Sequence, residues 1–198
     1  MELGFRGDRD YLHGTDIYNV LLHELEAAGC GRPAGPVSLS FRRFAKRQLD
    51  AVICEEGDAE VRPADTAVFF AVETDAGPVH GWMSESERPV TDRRPFDESV
   101  VCDATRITAQ AATVEAKLEL TPIEVAIPMT KHLHQALLPA GGRRWILSRL
   151  DLARPFRSSD VPGLTIELVQ NLNQRLTKSA MSGRAGRLGH IYFTLVGS

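Results

Sequence analysis

The sequence predicts an α+β fold made of two successive units, each a sheet of antiparallel strands wrapped around one helix. Three observations predict it. A helical hydrophobic period appears once in each half, and four strand-like runs follow it both times. Local stretches correspond in position between the halves: Leu39-Ser-Phe-Arg-Arg-Phe-Ala with Leu147-Ser-Arg-Leu-Asp-Leu-Ala, and Glu73-Thr-Asp-Ala-Gly-Pro-Val-His-Gly with Ser182-Gly-Arg-Ala-Gly-Arg-Leu-Gly-His. Residue identity between the halves is low, so order and spacing carry the repeat. Turn sequences at Asp75-Ala-Gly-Pro and Gly183-Arg-Ala-Gly join runs as antiparallel hairpins. A lone helix followed only by strands belongs to an α+β layering and not to alternating βαβ units.

In the first half the helix is expected over Thr15 to Ala28. Ile17, Val20, Leu21, Leu25 and Ala28 make one apolar stripe at a 3.6-residue period. Thr15 or Asp16 suits the N-cap, and Gly29 suits the left-handed position that closes a helix. Strand runs follow at Val37 to Lys46, Leu49 to Glu55, Thr66 to Thr74 and Val79 to Glu85. In the first of these Val37, Leu39 and Phe41 share a face and the serines oppose them. Arg88 to Ser99 is Pro-rich and charged, and it reads as a solvated connection. The expected units are therefore residues 1–90 and 111–198, with 91–110 as linker and lead-in.

A strand around Ala112 to Leu120 opens the second half. Its helix ends near Leu138, and its start has two readings. Thr121-Pro-Ile-Glu has the form of a capping box with proline at the first helical position. Pro128 would then lie inside the helix, costing about 3 kcal/mol or forcing a kink. We place the start at Pro128, after an edge strand through Ile127. Strand runs follow at Trp145 to Ala153, Leu164 to Asn171, Leu176 to Ser182 and Leu188 to Val196. In the last, Ile191, Phe193 and Leu195 alternate with His190, Tyr192 and Thr194.

Composition limits what such a chain does. The 198 residues, 43% hydrophobic and 25% charged, suit one large or two small folded domains. With 23 basic and 26 acidic side chains the net charge is −3, which argues against a globally basic nucleic-acid binder. No apolar run approaches the roughly 18 residues of a membrane span, and the first residues lack the apolar core of a signal peptide. Cys30, Cys54 and Cys102 are odd in number and widely spaced, so a reducing cytoplasm is expected, without disulfide framework or zinc site.

Phe5-Arg-Gly-Asp-Arg-Asp10 ahead of a helix, Val37-Ser-Leu-Ser-Phe-Arg-Arg-Phe-Ala, and Leu150-Asp-Leu-Ala-Arg-Pro-Phe with Ser159-Asp160 resemble the strand motifs of hotdog-fold acyl-CoA thioesterases. Across nearly the whole chain the element order resembles a tandem double hotdog: antiparallel sheets wrapped around two central helices and joined edge to edge. Tyr11-Leu-His-Gly-Thr-Asp is shorter than the corresponding loop in those enzymes. In the second half Lys117-Leu-Glu-Leu-Thr-Pro takes the place of the acidic pair, so any active site is expected to be asymmetric.

The resemblance implies acyl-thioester chemistry on coenzyme A or a phosphopantetheine carrier, with no other cofactor and no metal. Hydrolysis needs an acyl carbonyl held on backbone donors and a carboxylate as base or nucleophile. Asp10 is the candidate carboxylate, and Asp16, Ile17 and Tyr18 at the helix start are the candidate oxyanion and substrate contacts. The plainer reading of Asp8 and Asp10, interleaved with Arg6 and Arg9, is surface ion pairing. The alternative enzyme is a β-hydroxyacyl dehydratase. There His13 shuttles the α-proton with Glu24 or Glu26 of a neighbouring unit, although the Pro-rich setting of that family's histidine is missing. A third reading is a non-catalytic acyl or small-ligand binder.

Among the basic clusters Arg42-Arg43, Lys46-Arg47 and Arg143-Arg144, Arg43 and Arg47 are the candidate phosphate contacts. No aromatic runs beside them, so nucleic acid is not expected as a partner; a homodimer is a possible assembly. His132 and His134 lie two apart, which does not suit a helical metal pair. Gly183-Arg-Ala-Gly-Arg-Leu-Gly joins two strands and so does not open a helix as a phosphate loop does.

Overall fold

The computed structural model describes residues 2–54, 63–138 and 140–197. The chain divides into two compact units, Met1–Phe96 and Asp97–Ser198.

The first unit runs β1 (Phe5–Arg6), α1 (Gly14–Ala27), β2 (Pro33–Phe41), β3 (Arg47–Ile53), β4 (Thr66–Thr74), β5 (Gly77–Pro89) and β6 (Arg93–Arg94). β3, β5, β4 and β2 lie side by side in that order, all antiparallel. β1 pairs separately with β6, in parallel. The amphipathic stripe of α1 buries Ile17, Leu21 and Leu25, with Tyr18 buried beside them; Val20 is half-buried and Ala28 exposed. The helix closes as expected. The amide of Gly29 donates to Glu26 and that of Cys30 to Leu25, the paired bonds of a glycine-terminated helix.

The second unit runs α2 (Ser99–Ala104), β7 (Thr105–Thr108), β8 (Ala111–Val114), α3 (Pro122–Leu137), β9 (Arg144–Leu152), a 3-10 turn (Ser158–Asp160), β10 (Leu164–Leu172), β11 (Leu176–Gly183) and β12 (Gly186–Val196). Its strand order is β9-β12-β11-β10-β8-β7, again antiparallel. α3 packs on β8, β9 and β10. One face of the sheet carries Val114, Leu150, Leu164, Ile166, Met181, Ile191 and Phe193, all without solvent contact.

Several expectations need correction. The strand over Val37 to Lys46 stops at Phe41, because residues 42–46 fold back and the Ala45 carbonyl accepts the Leu12 amide at 2.7 Å. The run Leu49 to Glu55 appears as β3; Glu55 lies outside the described residues. The stretch read as a solvated connection holds β6 and the start of α2, and the 91–110 linker and lead-in also holds the rest of α2 and β7, so those residues are built into the two units.

The second helix begins at Pro122 and not at Pro128. The Thr121 amide and hydroxyl both donate to the Glu124 carboxylate, at 2.9 and 2.7 Å, which fixes the start. Pro128 lies inside the helix and is buried, as are Ile123, Ile127, Met129 and Leu133. At roughly 1.5–3 kcal/mol for each large apolar side chain removed from water, that packing exceeds the cost of one interior proline.

The repeat of element order does not extend to strand pairing. β12 lies beside β9, the strand after its unit's central helix; in the first unit the strand after α1 lies beside β4, and β5 lies beside β3. Among the described residues no helix is long and apolar enough to cross a membrane.

Candidate active site

The first unit gathers most of the residues singled out from the sequence around the start of α1. β1 is tied to β6 by the Phe5 amide donating to Asp92 and the Gly7 amide donating to Arg94. The chain then returns so that Leu12 bridges Phe5 and bonds Ala45. His13 therefore arrives as the N-cap of α1, with extended backbone and a carbonyl that accepts the amides of Asp16 and Ile17 at 3.0 and 3.2 Å. The helix thus starts ahead of Thr15 and Asp16, the expected caps.

His13 is 5% exposed. Its Nδ1 lies 2.8 Å from the Thr15 hydroxyl, and its ring is 5.4 Å from that of Phe96. Phe96 also lies under two guanidiniums, Arg6 at 4.7 Å and Arg9 at 5.5 Å. Arg6 in turn grips Asp16 through two bonds of 2.6 and 2.5 Å. Asp16, expected to contact substrate, is thus buried and held by Arg6. Its negative charge in the first helical turn matches the helix dipole.

Ile17 and Tyr18, expected to present free amides, are each 3% exposed. The Ile17 amide is engaged by the His13 carbonyl. The amides ahead of the first intrahelical bonds are those of Gly14 and Thr15, so an oxyanion at this helix start would meet them instead.

Asp10 has moved into a different network. Its carboxylate receives the Lys46 ammonium at 2.6 Å and is largely exposed. That hydrogen bond and the lysine charge hold it below the usual carboxylate range. Glu85 connects the remaining basic residues: it accepts the Lys46 amide, the Arg47 amide at 3.1 Å and the Arg43 guanidinium at 2.9 Å. Burial pushes the Glu85 carboxyl up, but the Lys46 amide and Arg43 outweigh it and the group is lowered. The Arg47 guanidinium donates to the Glu87 carbonyl. Arg43 and Arg47, expected beside a phosphate, are both exposed and share Glu85 as partner.

Glu24 lies eleven residues along the helix from His13, roughly 16 Å at 1.5 Å per residue, so the two do not share a proton within α1. Phe96 was missed, and Thr15 and Lys46, read as a helix cap and as part of a basic cluster, were not expected to contact His13 and Asp10. Phe96 falls in the stretch read as a connection, and Lys46 is joined to Asp10 from 36 positions along the chain. Among the described residues no group of three or more histidine, cysteine or acidic side chains could hold a metal ion.

No family model and no curated protein matches the sequence. Solved structures do. The dehydratase domain of PpsC from Mycobacterium tuberculosis, solved in complex with C12:1-CoA, is 10% identical, with 94% of this chain and 85% of that one covered and a TM-score of 0.50. A tesB protein of Mycobacterium avium subs paratuberculosis is 13% identical over 98% and 89%, with a TM-score of 0.45. A Thermobifida fusca protein described as a thioesterase II is 11% identical over 97% and 89%, at 0.43. Likeness at this identity concerns architecture alone, and what it establishes is that the chain has a hotdog-type fold.

Proposed function

We propose that this protein processes an acyl thioester, with His13 as the acid–base group. The observation that carries the reading is a buried histidine at the N-cap of a central helix, its Nδ1 anchored on Thr15. The hotdog fold, which the PpsC dehydratase domain shares while holding an acyl-CoA, supports the substrate class.

In this reading the thioester carbonyl lies at the start of α1, where the Gly14 and Thr15 amides meet its developing negative charge. Neutral His13 takes the α-proton of a β-hydroxyacyl group. The freed electron pair forms the Cα–Cβ double bond, and the β-hydroxyl leaves as water with the proton that His13 hands on, which returns the imidazole to its neutral form. Thr15 fixes the imidazole ring, which keeps the proton acceptor in one orientation. Lys46, Arg43 and Arg47 form the exposed basic rim that suits the phosphates of coenzyme A or of a phosphopantetheine carrier.

One observation favours hydrolysis as the second reading. Lys46 holds Asp10 ionised, as a base for water or a nucleophile must be.

The test is incubation with saturated and 3-hydroxyacyl-CoAs while free thiol and enoyl absorbance are followed together. Enoyl product without thiol, lowered about 100-fold or more by His13→Asn, supports dehydration. Thiol release abolished by Asp10→Asn and retained in His13→Asn supports hydrolysis. Saturable binding with neither product identifies a non-catalytic binder and overturns both.

A further inference from the structure

We propose that Lys178, Arg187 and His190 form a binding site for a phosphate-type dianion on the outward face of the second unit's sheet, and that the anion enters together with a proton on His190. This site lies apart from the residues assigned above and does not rest on the acyl-thioester reading.

Strand register sets the three groups side by side. Gln170, Lys178, Tyr192 and Arg149 stand directly opposite one another across β10, β11, β12 and β9, and Glu167, Ala180, His190 and Asp151 form the next row. Arg187 is paired with Ser182 just beyond. On β12 His190 and Tyr192 alternate with the buried Ile191 and Phe193 and so face away from the core, and Arg187, beyond a register shift, is exposed.

Arg187 Nη2 lies 2.5 Å from His190 Nε2. A guanidinium nitrogen only donates, so Nε2 accepts, the ring proton sits on Nδ1 and the imidazole is neutral. Burial, then the charges of Lys178 and Arg187, hold His190 below the usual histidine range, while Asp151 pulls the other way.

The nearby acids offset the two cations only in part. Asp151 is engaged by Arg149, whose Nε donates to both carboxylate oxygens at 2.9 and 2.8 Å. Glu167 stands one strand beyond Ala180. Tyr192 lies between Arg149 and Lys178, whose cationic atoms are 5.8 and 5.7 Å from its ring centre. Among the described residues neither Lys178 nor Arg187 has a carboxylate partner, whereas Arg43, Arg88, Arg94, Arg149 and Arg154 each have one.

Arg187 in contact with the deprotonated imidazole and Lys178 in the next row are like charges, and both disfavour the ring's own protonation. A doubly charged anion removes both penalties at once. The planar fork of Arg187 and the point charge of Lys178 suit phosphate oxygens, and the hydroxyl of Ser182 adds a neighbouring donor. When Arg187 turns from Nε2 to the anion, that nitrogen gains a proton from solvent and donates it to a phosphate oxygen. Binding therefore consumes a proton.

The test follows the His190 ring by NMR, assigned with His190→Gln, over about pH 5 to 8 with and without inorganic phosphate. Phosphate is expected to raise the His190 midpoint, and Lys178→Gln or Arg187→Gln to weaken phosphate binding about tenfold each. Coenzyme A and dephospho-coenzyme A are the parallel arms. Tighter binding of coenzyme A than of both other probes identifies a nucleotide-borne phosphomonoester, and equal binding of inorganic phosphate identifies the free ion. Turnover in the thioester assay is expected to survive both substitutions. A His190 midpoint unmoved by every probe, or binding undiminished in the Lys178→Gln/Arg187→Gln variant, overturns the proposal.

Discussion

Arg6 and Asp16 carry opposite charges on side chains that are each 9% exposed, and their two short bonds replace the water each has lost. Removing two charges from water is costly, so such a pair is a weak source of net stability; its loss by halves is what is expensive. Arg6→Met leaves Asp16 buried and uncompensated, and urea unfolding is expected to register a loss of about 3–5 kcal/mol. The double variant Arg6→Met/Asp16→Leu is expected to recover most of it. A single variant within about 1 kcal/mol of the parent would show that water already reaches the pair. This pair was hidden in the sequence. Arg6 reads there as one of several alternating charges, and only the return of the chain through Leu12 brings it against the first turn of α1. Asp10 was visible as an acid before a helix, but its partner Lys46 comes from a loop that the pattern read as strand.

At the scale of the element, α3 shows where local and tertiary terms part. The capping box at Thr121 was legible, and so was the cost of Pro128. What the sequence lacked was the number of sides on which the helix is covered. His134 records the same burial. It has no solvent contact, and its ring lies 4.8 Å from Trp145 and 5.4 Å from Phe193. Burial pushes its pKa down from 6.5 to about 4. The unfolded chain therefore binds a proton near pH 6.5 while the folded chain still refuses it. Above pH 6.5 the ring is neutral in both states and adds no pH dependence, and stability is lost as pH falls from there towards 4. Over that interval the loss is about 3 kcal/mol, on the order of 1.4 kcal/mol for each pH unit. Urea unfolding at a series of pH values, compared with His134→Phe, checks it: the parent is expected to lose more stability on acidification than the variant. Parallel pH profiles would mean that His134 titrates alike in both states.

For the whole molecule, the hairpins were legible and the strand order of the first unit was not. Asp75-Ala76 and Arg184-Ala185 announce β4–β5 and β11–β12 because turn chemistry is local. Which side of a hairpin meets the next strand is decided by contacts distant in sequence, and here the two units decide differently. Glycine marks each choice. A Cβ at Gly81 would lie 2.0 Å from the Val52 carbonyl oxygen of β3, and one at Gly189 would lie 2.0 Å from the Asp151 carbonyl oxygen of β9. Both contacts are backbone, so neither side can yield without parting the strands. Gly81→Ala and Gly189→Ala are each expected to cost about 3 kcal/mol or more. Hydrogen exchange locates the damage. Gly189→Ala is expected to loosen β9 and β12. Gly81→Ala is expected to loosen β3 and β5 while β2 keeps its protection, because β5 borders β3 and β4. Had the first unit copied the second, β5 would border β2, and exchange would rise there while β3 stayed protected. That pattern would reverse the strand order on which the placement of the loop after β2, and with it Lys46 beside Asp10, depends.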